Sequence, residues 1–279
     1  MQVTFFGVRG STPCPHDDNH RYGGNTSCAV IEEHGHDPIV LDLGTGLRTW
    51  GDVLPHDGSF RAHALVTHVH WDHIQGLPFF GPVLQPGASL DVYGPPPEHD
   101  GTRTLGDCFD QFVCPPLFPV RIADLPGDIT FHTVRDTELV VGDAKVMVRD
   151  VPHTSLTNGY RVELGGASVV YISDHQMPLD ESLEVTDDVL ELCAGADLLI
   201  HDAQYTPEEF AKKRDWGHCT VEFAVHVAAE AGVRRLALFH HDPTHDDAFL
   251  DCLLEQARAM AGQRVEEVLA ASEGLTIVL

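Results

Sequence analysis

The sequence predicts an α/β fold: a sandwich of two β-sheets with helices on the outer faces. Three observations lead there. Short apolar segments, many rich in Val and Ile, recur along the 279 residues with Gly, Pro and Asp between them. They fall into two groups, each with its own helices, which suits two sheets better than one doubly wound sheet. With 43% hydrophobic residues the chain can bury a large core, and no solenoid repeat or low-complexity linker divides it.

In order, the first group of strands reads Val3–Phe6, Cys28–Glu32, Ile39–Leu43, Ala64–Thr67, Leu90–Tyr93 and Ile129–His132. The second reads Val146–Val151, Gly159–Leu164, Ser168–Ile172, Leu198–His201, Leu236–His240 and Leu275–Leu279. Several are unbroken apolar runs, as strands covered on both faces require. The clearest helix is Thr220–Ala231, with Val221, Ala224, Val225, Ala228 and Ala229 at helical spacing and Gly232 as its stop. Asp246–Ala261 is the second; its two leading aspartates suit the positive helix end, and Gly262 closes it. Weaker helical patterns cover Leu47–Leu54, His73–Phe80, Leu105–Phe112 and Thr186–Cys193. The proline-rich stretch Gly94–Arg121 reads as a covering insertion within a single domain of residues 1–279.

Seventeen basic against 43 acidic residues give a net charge of −26. That disfavours a protein that holds polynucleotides by neutralising many phosphates. A local metal site can still accept one small phosphate, and the acidity serves solubility equally well. The opening MQVTFFGVRGSTP has no basic segment followed by an apolar one, and no apolar run approaches the roughly 20 residues that span a bilayer. A cytoplasmic protein with no membrane partner is expected. The seven cysteines are scattered and include no C-x-x-C pair, which predicts mostly buried, reduced thiols rather than disulfides or a zinc ribbon.

Nineteen histidines stand against three lysines. His16, His20, His34, His36, His56 and His99 lie in polar, loop-like surroundings and read as surface residues. The segment Thr67-His68-Val69-His70-Trp71-Asp72-His73 is different. An apolar strand runs into three histidines and an aspartate within six positions. Residues two apart at a strand end project the same way, so His68 and His70 can grip one cation. Asp72 and His73, where the chain turns into a helix, suit a second cation nearby. Three further apolar runs end in candidate ligands: His153, Asp174 and His240. Imidazoles with a shared carboxylate would hold two metals close together.

THVHWDH, followed by His153, Ser173-Asp174 and His240, resembles the metallo-β-lactamase superfamily over nearly the whole chain. The resemblance implies a four-layer αβ/βα sandwich of two mixed β-sheets flanked by helices. Leu199–Ala203 and Trp216–Thr220 are similar to the ribonuclease Z and phosphodiesterase branch. There a histidine of an H-S-T-like segment sits by the scissile phosphate, supported by an acidic residue of an H-E-A-like segment. His218 matches the first; Asp202 stands at the second, one methylene shorter. The long basic arm that grips transfer RNA is not evident, which disfavours a transfer-RNA maturase. The resemblance implies that His68, His70 and His153 bind one metal and Asp72, His73 and His240 the other. Asp174 would bridge them. His241 is the rival of His240; His240 is preferred for its place directly after the strand.

The implied cofactors are two divalent ions, with zinc suited to the histidines and manganese compatible with the carboxylates. The implied reaction is attack of a metal-bridging hydroxide on a small phosphodiester such as a cyclic nucleotide. Asp72 would orient the water, and His218 with Asp202 would serve the leaving alkoxide. A lactone, thioester or sulfate ester is the alternative electrophile, and a ribonuclease Z-like RNA nuclease the alternative activity. An electron-transfer module lacks its flavodoxin-like partner here, and a full ligand set argues against a metal sensor. A homodimer is compatible with this reading. In the superfamily, an element like Leu41–Gly46 buttresses the ligand loop, which makes Asp42 a supporting candidate. Arg9 and Asn25 lie in loops that border the pocket in related hydrolases, though a hairpin connection is the preferred reading of those loops.

Overall fold

The computed structural model describes residues 1–279, and its strands pair into two seven-stranded sheets. The first half of the chain supplies β1 (Gln2–Gly7), β2 (Cys28–Glu32), β3 (Ile39–Leu41), β4 (Arg61–Leu65), β5 (Ser89–Gly94) and β6 (Asp128–Thr133). The second half supplies β7 (Thr137–Val141), β8 (Ala144–Asp150), β9 (Asn158–Leu164), β10 (Ala167–Ile172), β11 (Leu198–Asp202), β12 (Arg235–Phe239), β13 (Glu267–Ala270) and β14 (Thr276–Val278). The first sheet runs β14-β1-β2-β3-β4-β5-β6 and the second β13-β12-β11-β10-β9-β8-β7. Both are mixed: β3 to β6 and β10 to β13 pair in parallel, and the remaining neighbours antiparallel.

Three buried cores explain the layers. Val3, Phe5 and Leu65 of one sheet meet Val146, Tyr171 and Phe239 of the other in a central core. The outer face of the first sheet packs on α1 (Gly46–Gly51), α2 (Trp71–Ile74) and α3 (Leu105–Phe112). That of the second packs on α4 (Asp187–Cys193), α6 (Val221–Glu230) and α7 (Asp247–Ala261), with α5 (Pro207–Phe210) between. The result is the four-layer αβ/βα sandwich. Local chemistry sets the helix starts: Thr220 accepts a hydrogen bond from Phe223 N at 3.2 Å, and Asp246 from Phe249 N at 2.7 Å.

The structure corrects several boundaries. Leu275–Leu279 does not extend the second group; β14 crosses back to pair with β1. The third strand stops at Leu41, because Asp42 adopts a left-handed φ of 59°. The strand expected at Ala64–Thr67 ends at Leu65, so the first histidines lie on an extended loop. The helix expected at His73–Phe80 begins at Trp71 and breaks after Ile74, and a 3₁₀ turn follows at Leu77–Phe79. Gly76 lies so close to Gly44 O that a Cβ would come within 2.0 Å of it. Asp72 sits in the first turn of α2, whose range is Trp71–Ile74. Strands β7 and β13 and helix α5 were not legible as elements. Only Cys28, Cys193 and Cys219 are buried; Cys14, Cys108 and Cys114 are half-buried and Cys252 is exposed, and all seven are free thiols. No helix is long and apolar enough to cross a membrane.

Candidate metal centre

The segments that follow β4, β8, β10 and β12 converge on one cluster. His68 Nε2 lies 2.8 Å from His70 Nδ1, and His153 Nε2 lies 3.3 Å from the same atom. Asp174 Oδ1 faces this group, 3.8 Å from His68 Nε2 and 3.7 Å from His153 Nε2. Its other oxygen faces a second group: Oδ2 is 3.2 Å from His73 Nε2 and 3.5 Å from His240 Nε2. Asp72 Oδ2 closes that group, 3.2 Å from both imidazoles. One carboxylate thus presents one oxygen to each of two ligand sets.

The donor chemistry fits cations. The His68–His70–His153 atoms lie within 4.8 Å of one another, as do those of Asp72–His73–His240. His73 Nε2 and Asp174 Oδ2 are buried without a hydrogen-bond partner, although they are neighbours. Leaving such atoms unsatisfied costs about 1–3 kcal/mol each, and an ion between them would remove that cost. The neighbouring nitrogens of three imidazoles are tied down, which directs each Nε2 inward. His73 Nδ1 donates to Asp42 at 2.7 Å, His153 Nδ1 donates to Gly217 O at 2.6 Å, and His68 Nδ1 pairs with Thr67 Oγ1 at 3.1 Å. Gly217 has a φ of 95°, and a Cβ there would come within 2.4 Å of the His153 ring. A glycine is therefore required at that point of the loop.

Burial favours neutral imidazole at His68, His70 and His153, and depresses His153 to about 4. Burial acts the same way on His73 but is outweighed by Asp72, Asp174 and Asp42, which hold it above its ordinary range. His240 is likewise raised, by Asp174 and Asp72 against burial. Burial would raise Asp72 and Asp174. The surrounding imidazoles, His73 and His240 foremost, instead hold both well below the usual carboxylate range.

Asp42 lies beneath the cluster, fully buried and fully satisfied. It accepts from Thr67 N at 2.7 Å, Tyr171 Oη at 2.8 Å and His73 Nδ1. His218 stands on the other side, its Nδ1 3.0 Å from Asp202 Oδ2 and its ring 5.0 Å from that of His240. Asp202 is fixed by backbone donors: His175 N to Oδ2 and Gln204 N to Oδ1, both at 3.0 Å. His241 is elsewhere. Its Nε2 donates to Ala271 O at 3.0 Å, its ring meets Tyr22 edge-on, and burial beside Arg9 depresses it to about 3. Arg9 is no pocket residue either. It is buried and bonded to the carbonyls of Gly23, Asp242 and His245.

The profile of the β-lactamase superfamily domain matches residues 53–241, which contain the whole ligand cluster. The chain belongs to that superfamily. It is accordingly a metal-dependent hydrolase. A ribonuclease Z of Haloferax volcanii is 26% identical, over 98% of this chain and 97% of its own length. Among solved structures, the metallo-β-lactamase fold protein YhfI of Bacillus subtilis superposes with a TM-score of 0.73 at 20% identity. That match covers 99% of this chain and 98% of YhfI. The short form of human tRNase Z follows at 0.70 and 22%, over 100% and 99%. Both share the fold of the superfamily.

Sequence reasoning missed the residues that hold the candidate ligands and Asp42 in place. Tyr171, Thr67 and Gly217 orient Asp42, His68 and His153, and Ser11 N donates to Asp72 Oδ2 at 2.7 Å. Tyr171 carried one signal, a hydroxyl in an otherwise apolar buried strand, which needs a partner. Ser11 carried none, because it reaches Asp72 from a loop 61 residues away.

Proposed function

We propose that this hydrolase cleaves a small phosphodiester, using two divalent cations, zinc or manganese. His68, His70 and His153 would hold one, and Asp72, His73 and His240 the other, with Asp174 shared. The observation that carries the reading is the buried His218–Asp202 pair beside the cluster. Ions held there would lower the pKa of water from 15.7 towards about 7 and polarise a phosphoryl oxygen. The remaining work falls to side chains. Asp72 Oδ2 faces the cluster and can accept and orient a proton of the attacking water. His218 Nε2 has no partner in the protein, so the ring can donate there to a leaving alkoxide. Asp202 at Nδ1 fixes the tautomer and stabilises the imidazolium. A thioester expels a thiolate, which departs without a proton and needs no such acid.

The ribonuclease Z relative supports phosphodiester chemistry. The net charge of −26 speaks for a small ester over a polynucleotide. The test is turnover of bis-p-nitrophenyl phosphate, cyclic nucleotides, a lactone, a thioester and a transfer-RNA precursor by protein of known metal content. The proposal expects the small diesters to be the best substrates. Faster turnover of the lactone, the thioester or the RNA would overturn it.

A further inference from the structure

Against Trp71 of the candidate ligand segment lies a cavity of about 450 Å³ that the proposed chemistry does not use. Its walls carry four aromatic rings: Trp71, Phe79, Phe112 and Phe118. Trp71 is the residue between His70 and Asp72, so the cavity borders the segment that carries those two candidate ligands. Trp71 is 72% exposed, Phe79 58% and Leu117 76%. Large apolar side chains gathered in one exposed patch mark a binding surface more than a solvated one. Phe79 and Phe118 meet edge to face at 5.7 Å, and Trp71 and Phe112 lie 6.5 Å apart at 43°, so neither pair is stacked face on face. The stretch after α3 that brings Val113, Leu117 and Phe118 belongs to the insertion Gly94–Arg121, which gives that segment a use.

The polar lining narrows the guest. Asn25, Thr45 and Gln75 are held by Glu273 and Thr26, which leaves the Asn25 and Gln75 amide oxygens and the Thr45 hydroxyl hydrogen for a guest, and Arg48 is the one cation in the lining. A saturated alkyl chain would desolvate these groups without pairing them, at a cost. A flat ring can stack on the aromatics and meet the polar groups at its edge. Arg48, paired with Asp52 at 3.6 Å, puts one positive group beside the guest in a chain of charge −26.

We infer that this cavity binds a planar aromatic group carried on one ester arm of the substrate. The inference rests on the phosphodiesterase reading and names the substrate class of that site. Its test compares p-nitrophenyl phosphodiesters whose second arm is methyl, cyclohexyl, phenyl or thymidine. The phenyl or thymidine ester should exceed the methyl and cyclohexyl esters in kcat/KM by about tenfold or more. Tenfold corresponds to roughly 1.4 kcal/mol, the low end of stacking on an aromatic side chain. Leu117→Ala and Phe118→Ala should pull the phenyl-to-methyl ratio towards one. The thymidine arm tells a nucleobase from a simple aryl group, and either supports the inference. Equal rates for phenyl and cyclohexyl, or for phenyl and methyl, would overturn it while leaving diester hydrolysis standing. If no ester is cleaved, the phosphodiesterase reading fails on its own. The cavity is then tested by calorimetry, where phenylphosphonate must bind at least tenfold tighter than methylphosphonate. A dimer in sedimentation that Leu117→Glu dissociates would assign the patch to a second copy of the chain and also overturn the inference.

Discussion

His218→Ala separates proton donation from every other role the site could give this residue. The ring is buried beside the cluster, held at Nδ1 by Asp202 at 3.0 Å, with Nε2 unpaired. If Nε2 protonates the leaving alkoxide, its removal should cost about 10²–10⁴-fold in turnover of a diester with an alkyl leaving group. In barrier height that is about 2.7–5.4 kcal/mol. p-Nitrophenolate departs without a proton, so the same variant should lose far less on bis-p-nitrophenyl phosphate. Asp202→Asn should follow the same pattern more weakly. It also places an amide where His175 N and Gln204 N both donate, which adds a stability cost of about 1–3 kcal/mol visible in thermal melting. The assay is kcat on the paired esters, with metal content measured on every preparation. Equal losses on both leaving groups would refute proton donation. Loss of an ion would place His218 among the ligands, with Asp174 and His240, whose atoms lie within reach of it.

Protein purified without chelator should carry about two transition-metal ions per chain, and chelation should lower its melting temperature reversibly; one ion or fewer after zinc or manganese is supplied would rule out a dinuclear centre. Asp72→Ala should abolish nearly all turnover, because its Oδ2 touches His73, His240 and Ser11 N at once; more than a tenth of the wild-type rate would remove it from the mechanism. His240→Ala should lose metal, whereas His241→Ala should keep it and melt earlier, since His241 is buried against Ala271 O and Tyr22; the opposite result would exchange their roles. Higher salt should raise kcat/KM for an anionic diester at fixed metal content, because it screens repulsion by a chain of charge −26; a steep fall would point to a polyanion grip instead.

Much of the fold was legible because its strands are unbroken apolar runs and its longest helices carry their own stops. Cys28–Glu32 and Leu105–Phe112 match to the residue. Elements without that patterning were lost. Strand β7 is a sheet edge with Glu138 and Val140 exposed, so it lacks a continuous apolar signal. The crossing of β14 to the first sheet depends on where the chain end lies, which local composition does not encode. The candidate ligands were legible because metal chemistry demands particular residue types at the ends of buried strands. Their supports were not. Thr67 and Gly217 are ordinary in type, and only tertiary distance gives them a role; the Tyr171 hydroxyl signalled a partner but not which one. Asp42 was visible as a strand-end carboxylate, but that it bonds His73 was not.

Two buried carboxylates bracket the cluster, each holding one imidazole at Nδ1, and the difference between them assigns the work. Asp42 holds His73 and Asp202 holds His218. Backbone N–H groups from other segments fix both carboxylates, so neither imidazole is free to turn. The distinction lies at the opposite nitrogen. His73 Nε2 points between Asp72 and Asp174, 3.2 Å from an oxygen of each, where a cation would balance the two charges. His218 Nδ1 lies 3.0 Å from Asp202 and 3.7 Å from Asp174 Oδ1, and its Nε2 has no hydrogen-bond partner in the protein. An imidazole crowded by two carboxylates is placed to ligate. An imidazole backed by one carboxylate and unpaired at its other nitrogen would be placed to hand over a proton.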